Sequence, residues 1–451
     1  MYMANANILR NDRGQTMIVF ALLLSVLVLF TGFAVDAGLL YVTKAKLSSS
    51  VDSSCLTGMK NLQSGQATAT TLATDMFTAN YGANAPTPSV TYPTDQYNDQ
   101  QVQVTATANV RTYFMQLIPG FATVPVSDTA VATRGKLIMT IVLDRSGSMC
   151  GGSDPCPGGV VGDDGGEALQ VAVPEFVDQF NNSSDEVGLV SFSSGSTIDF
   201  SINTNFQTSI TNDVKAYNFS GGTFGTGAGT GSILSSTNGP PLSMADTENN
   251  SVEISPGQPN VVKVVVYFTD GLMNELQDTF TCYVSGAPKT YTLNYGGYDS
   301  GNDVEFFSVT AVDYGLYNNG FTYDGTHTCK NSAGNNVTTF PSQQSGTQVT
   351  ISRANVTAEA QYRAIQTAIK IRTESPYPTY IFTMGLGSSV SPTTQAFLAQ
   401  LANDPSYSTY ITTQPAGLFQ YIPNCPSSTC TADVDKAFQT IAAKVLLRLT
   451  E

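Results

Sequence analysis

Nineteen consecutive positions without a charge, Met17 to Val35 (MIVFALLLSVLVLFTGFAV), set the first limit on what this chain can be. At ~1.5 Å rise per residue, a helix of that length spans roughly 29 Å, the thickness of a bilayer's hydrocarbon core. A cleaved secretory leader has a shorter apolar region and an A-x-A-like exit. Here the run passes directly into Asp36-Ala-Gly-Leu-Leu-Tyr-Val42 with no such exit. The pattern predicts an uncleaved, single-pass anchor. Beyond it, Leu40, Leu47, Val51, Cys55, Met59 and Leu62 recur at steps of three, four or seven, so the spanning helix continues past the membrane. Cys55 lies on that stripe, where core packing is expected; a thiol joining two copies is the alternative.

Arg10 and Arg13 precede the apolar run and Lys44 and Lys46 follow it, so the positive-inside count barely separates the two orientations. Cysteines decide. Cys150/Cys156, Cys282/Cys329 and Cys425/Cys430 fall in Gly-, Pro-, Ser- and Thr-rich segments, and Cys55 is left over. Three loop pairs are expected to be disulfides of an oxidising compartment, which puts the bulk of the chain outside the cytoplasm. No CxxC spacing occurs, which argues against structural zinc.

Composition removes other classes. Only 12% of the 451 residues are charged, about half the usual ~25%. Lys plus Arg is 20 against Asp plus Glu 35, a net charge of −15 that repels phosphate backbones, so nucleic acid is not an expected partner. The single histidine, His327, rules out HExxH sites, multi-histidine metal centres and Cys2His2 fingers. A Ser-His-Asp triad would have to use it, yet it sits in Tyr323-Asp-Gly-Thr-His-Thr-Cys329 with no serine nucleophile motif in view, and is read as a solvated loop residue.

Arg13-Gly-Gln-Thr-Met-Ile-Val-Phe-Ala-Leu22, Gly32-Phe-Ala-Val-Asp-Ala-Gly-Leu-Leu-Tyr41 and Ala45-Lys-Leu-Ser-Ser-Ser-Val-Asp52 together resemble the N-terminal segment of TadE/TadG-like proteins of the bacterial Flp (tight adherence) pilus system. In the pilin-like members a glutamate stands five residues after the processed glycine. Counting from Gly14, that position holds Val19, so the resemblance implies a permanently anchored TadG-like protein. It also implies a bacterial cell membrane, with the N-terminus cytoplasmic and the bulk in the periplasm or at the cell surface. The expected organisation is a cytoplasmic N-terminus over 1–13, the membrane helix and its extension over 14–62, a small α+β, pilin-like domain over 63–134, and a large domain over 137–451. In the small domain, Gln101 to Val110 and Thr123 to Val131 alternate at period two, as strands do.

From Lys136 short apolar runs alternate with helical patterns. Leu137–Leu143, Val187–Phe192, Val261–Phe268 and Tyr380–Met384 read as strands buried on both faces. Glu167–Phe180, Ala358–Arg372, Thr393–Leu401 and Ala432–Leu449 read as helices. The alternation predicts an α/β fold, a doubly wound, mostly parallel sheet with ligands beyond the carboxyl ends of its strands. Two strands end there in oxygen-bearing residues: Leu143-Asp-Arg-Ser-Gly-Ser-Met149 and Tyr267-Phe-Thr-Asp-Gly271. Alternate residues of an extended turn point the same way, so Asp144, Ser146 and Ser148 can converge. Carboxylates and hydroxyls suit a hard cation, Mg²⁺, Mn²⁺ or Ca²⁺.

This pattern resembles the von Willebrand factor A domain and its metal-ion-dependent adhesion site, DxSxS…T…D. The resemblance implies a metal set of Asp144, Ser146, Ser148, Thr223 (in Phe219-Ser-Gly-Gly-Thr223) and Asp270, with Thr226 or Thr230 as alternatives to Thr223. It covers about 137–450 and implies a protein ligand that offers a carboxylate to the metal. The expected function is non-catalytic binding at the envelope, in adhesion or in assembly of a pilus or secretion apparatus. A structural minor pilin or scaffold whose metal site is not used for ligand binding is the alternative. A metal-assisted hydrolase lacks a general base beside the site. Residues 272–351 read as an insertion that either shapes the ligand surface or is a solvated, disulfide-tied excursion.

Overall fold

The computed structural model describes residues 13–62, 65–97, 99–150, 165–192, 196–217, 219, 240–271, 275–297, 304–308, 311–313, 321, 327–388, 390–425 and 427–448. They form two compact units, one through Arg134 and one from Gly135.

The first unit is built on one continuous helix, α1 (Arg13–Lys60). By length and composition it is able to cross a membrane. Along its apolar run Met17, Phe20, Leu23, Leu27 and Phe30 are all exposed. Below that run the same helix is a core element: Leu47, Val51, Cys55 and Met59 are buried against Phe77 of α2 (Gln66–Tyr81) and Val102, Val104 and Ala106 of β2 (Gln101–Arg111). The helical stripe and the period-two strand therefore cover each other. β1 (Ser89–Thr91), β2 and β3 (Thr123–Thr133) form an antiparallel sheet in that order. Cys55 is buried and its thiol donates to Val102 O at 2.9 Å; burial pushes its pKa up, as in a packed, unreactive cysteine.

The second unit is a six-stranded sheet. In chain order its strands are β4 (Leu137–Asp144), β5 (Glu186–Phe192), β6 (Ser196–Asn203), β7 (Val262–Thr269), β14 (Thr379–Leu386) and β15 (Leu418–Ile422). Across the sheet they run β15-β14-β7-β4-β5-β6, parallel except for β6. β4 and β7 are buried at every position, as their apolar runs require. One face, with Met139, Ile141 and Leu143 of β4, is covered by α3 (Gly165–Val177), α4 (Phe206–Lys215) and α8 (Cys430–Arg448). The other, with Val142, Val265 and Tyr267, is covered by α5 (Pro241–Ser251), α6 (Arg353–Arg372) and α7 (Pro392–Ala402). The chain starts at β4, winds outward through β5, then returns to β7 on the opposite flank. The order therefore reverses between β4 and β7, where a doubly wound sheet opens its ligand crevice.

The segment after β7 is not a solvated excursion. β8 (Glu275–Val284), β9 (Ala287–Gly297), β10 (Val304–Ser308) and β11 (Ala311–Asp313) form an antiparallel sheet, and β12 (Thr339–Pro341) pairs with β13 (Gln348–Thr350). The β8–β9 hairpin turns through Ser285 and Gly286, both at positive φ (51° and 82°), a turn whose twist suits a two-residue hairpin. Leu276, Phe280, Leu293, Tyr295 and Phe340 share a core with Val356, Ala360 and Ala364 of α6. Cys282–Cys329 closes this region, and Cys425–Cys430 ties the first residue of α8 to the segment before it. The expected Cys150–Cys156 pair lies outside the described residues.

Candidate metal centre

Asp144 is the last residue of β4, and Leu143 is in register with Phe268 of β7, so Thr269 and Asp270 arrive beside it at the reversal point. The Thr269 hydroxyl donates to Asp144 Oδ2 at 2.8 Å and the Ser146 backbone N–H donates to Asp144 Oδ1 at 2.8 Å. A 3-10 turn, Gly147–Cys150, folds Ser148 back so that its hydroxyl lies 3.0 Å from that of Ser146. Ser148 also hydrogen-bonds the Asp270 carboxyl. The ring is closed: Asp144, Ser146, Ser148, Asp270 and Thr269 touch in sequence although they come from two strands and one turn.

Packing holds the turn. The Arg145 N–H donates to Phe192 O (2.9 Å) and its guanidinium Nε to Ser191 Oγ (3.0 Å), tying it to β5. Met149 is buried, and a Cβ on Gly165 at the start of α3 would stand 3.2 Å from its terminal methyl and 2.1 Å from a Leu386 methyl, so a larger residue there would have to displace Leu386. Phe219, the residue that opens the expected threonine loop, packs on Gly166. Thr223, Thr226 and Thr230 lie outside the described residues.

Asp144, Ser146 and Asp270 are 3%, 1% and 7% exposed. Burial raises the Asp270 carboxyl from the ordinary 3.8 to about 8; the neighbouring Asp144 charge adds to this and the Ser148 hydrogen bond opposes it. Burial raises Asp144 as well, against the hydrogen bonds from Ser146 and Thr269. Two adjacent buried carboxyls call for positive charge, since each disfavours ionisation of the other. Among the described residues no group of three His, Cys, Asp or Glu side chains is placed to hold a metal ion, and the oxygens gathered here are two carboxyls and three hydroxyls. The donor set fits a hard divalent ion. His327 is exposed. Thr269 was absent from the sequence-derived set; its signal is its place one residue before Asp270 at a strand end.

Residues 139–305 match the model of the von Willebrand factor type A domain, and residues 14–63 that of putative Flp pilus-assembly TadE/G-like proteins. The chain joins a TadE/G-like segment to a von Willebrand factor A domain. No curated protein matches its sequence at a significant level. Among solved structures it is similar to the PilB minor pilin from Streptococcus sanguinis, at 12% identity and TM-score 0.36 over 81% of this chain and 79% of that one. It is also similar to the vWF domain of the type V pili tip protein Mfa5 from Porphyromonas gingivalis, at 13% identity and TM-score 0.35 over 70% and 97%. Conserved hypothetical protein BatB from Bacteroides thetaiotaomicron is a third, at 13% and 0.30 over 68% and 100%. Overlaps this low carry no weight for function.

Proposed function

We propose that this chain is a membrane-anchored, non-catalytic binding protein of the bacterial envelope, which takes an acidic protein partner through a divalent cation on its A domain. The observation behind this reading is the ring of buried oxygens at the sheet's reversal point, with two carboxyls side by side and one of them driven up to about 8. Asp144, Ser146, Ser148, Thr223 and Asp270 are the residues that would hold Mg²⁺, Mn²⁺ or Ca²⁺. When bound, the ion supplies a positive centre for a carboxylate of the partner. The side chains position and desolvate: Thr269 and the Ser146 N–H keep Asp144 in place, and Ser148 links the turn to Asp270. Hydroxyls carry no charge, so a ring built largely from them leaves the ion's attraction for an outside carboxylate intact.

The TadE/G-like segment supports placing this activity at a pilus, in adhesion or in assembly with pilus components. The loop disulfides favour a single-pass topology with the N-terminus cytoplasmic and the chain beyond the membrane run outside. The test is calorimetric titration of Mn²⁺ and Mg²⁺ into the full chain in detergent, wild type against Asp144→Ala. Saturable binding in the wild type and none in a folded variant is expected. Equal binding in both would remove the site from the proposal.

A further inference from the structure

The loop between β2 and β3 is uncharged and carries several large apolar side chains, although it comes about eighty residues after the membrane run. Residues 112–122, TYFMQLIPGFA, carry no charge, and Tyr113, Leu117, Ile118 and Phe121 are 61%, 74%, 43% and 44% exposed. Exposed apolar side chains gathered on one loop mark an interaction surface. What the loop faces follows from how its hairpin lies along α1.

Near the far end of α1, Cys55 bonds Val102 at the start of β2. Nearer the apolar run, Lys44 pairs with Asp128 (2.7 Å) and donates to the carbonyl of Ser127, which is in register with Thr107 midway along the hairpin. At the end of the run, Asp36 Oδ1 accepts the Tyr113 N–H (2.8 Å), and its Oδ2 accepts those of Phe114 (2.8 Å) and Met115 (2.6 Å). One turn inside the run, the Phe114 ring lies against Gly32, where a Cβ would come within 2.4 Å of it. Each step along α1 toward the apolar run is a step toward the hairpin tip, so the tip reaches the level where the run begins to emerge.

We propose that the 112–121 loop is a second membrane contact, its Leu117, Ile118 and Phe121 seated in the interfacial layer of the bilayer that α1 crosses. This rests on reading α1 as the membrane span. Asp36 latches the loop to the helix, and the close approach at Gly32 sets its depth. Anchored at helix and loop together, the first unit has a fixed tilt at the membrane instead of swivelling about one helix.

The chain has no tryptophan, so one introduced indole reports alone. Leu117→Trp probes the tip, Leu24→Trp the span, and Val131→Trp, at the hairpin's opposite end and 50% exposed, the solvent. Each full-length variant is reconstituted into phosphatidylcholine–phosphatidylglycerol vesicles whose lipids are brominated either near the headgroup or near the chain end. The expected result is that Leu117→Trp emits to the blue and loses most of its emission to shallow bromines, Leu24→Trp to deep ones, and Val131→Trp to neither. A quenched Leu24→Trp with Leu117→Trp emitting as indole in water overturns the loop contact and leaves the span. Blue emission at Leu117→Trp without bromine quenching assigns the loop to a protein surface and overturns the lipid seat. An unquenched Leu24→Trp removes the span, and the loop contact with it.

Discussion

Asp36 in the first unit and the Asp144–Asp270 pair in the second are buried carboxyls, and their surroundings differ in kind. Asp36 meets three backbone N–H groups of one loop, which supply its two oxygens with donors from within the fold. Asp144 and Asp270 meet hydroxyls, one backbone N–H and each other. Donors that cannot leave make the first carboxylate a structural clamp. The second arrangement concentrates acceptors, and burial alone drives the acids toward their neutral forms. A carboxyl satisfied by the fold closes a structure, whereas two carboxyls facing one another leave work for a ligand.

The largest expected effect concerns pH, because burial and the neighbouring Asp144 charge raise the Asp270 carboxyl far above its ordinary range. Its carboxyl rises from 3.8 to about 8, so without a cation the folded state holds a proton that the unfolded state has released. Below 3.8 both states are protonated and the group contributes no pH dependence. Between 3.8 and about 8 the folded state binds more protons, so stability falls as pH rises, levelling off above that window. In cation-free protein, Asp270→Asn removes this slope, and chemical denaturation from pH 4 to 9 reads it as the difference from wild type. Parallel profiles for the two proteins would mean that Asp270 ionises in its ordinary range.

Adding cation is the next lever. An ion that binds the folded state alone stabilises it by about 2.7 kcal/mol at a hundred times its dissociation constant. We expect a Mg²⁺-dependent rise in the unfolding midpoint of the second unit, reversed by chelation and absent in Asp144→Ala. The Asp36 loop should keep its hydrogen-exchange protection with or without Mg²⁺. A rise of equal size in Asp144→Ala would place the ion elsewhere.

Thr269→Val separates what sequence reveals from what only register reveals. The hydroxyl gives Asp144 one charge-assisted hydrogen bond inside the sheet edge, so its loss is expected to destabilise the cation-loaded protein by about 2 kcal/mol and to weaken Mn²⁺ binding. Thr269→Ser should restore most of both; failure of that rescue would point to packing instead of the hydroxyl. The central strands were legible because runs such as Leu137–Leu143 and Val261–Phe268 are apolar except for Thr140 and Lys263, and the Asp-x-Ser-x-Ser spacing was legible because it follows one of them. Thr269 was not singled out, because nothing local says that β7 lies beside β4 with Leu143 opposite Phe268. β6 and β15 escaped for another reason: as edge strands they carry mixed, half-exposed residues in place of an apolar run. The core of the inserted sheet was hidden by its Tyr-, Thr- and Asn-rich composition, whose aromatic members turn inward onto α6.

The smallest global effect should come from Asp36, and its confinement to one loop is the sharpest contrast with the metal centre. The Asp36 side chain lies 77 to 79 positions from its donors in sequence, so no spacing rule identifies it. Asp36→Asn keeps one acceptor oxygen and puts an N–H₂ where the other stood, so it can serve Tyr113 or the Phe114–Met115 pair but not both. Asp36→Ala serves neither. Hydrogen exchange should therefore speed up at part of the 113–115 segment in the Asn variant and at all of it in the Ala variant. The midpoint of the second unit should stay where it was, because that unit is compact in its own right. If lipid covers the loop tip, the Ala variant should keep more protection at 115–118 in vesicles than in detergent. A loop equally protected in wild type and Ala variant would show that packing of Phe114 on Gly32, and not the carboxylate, holds it to the helix.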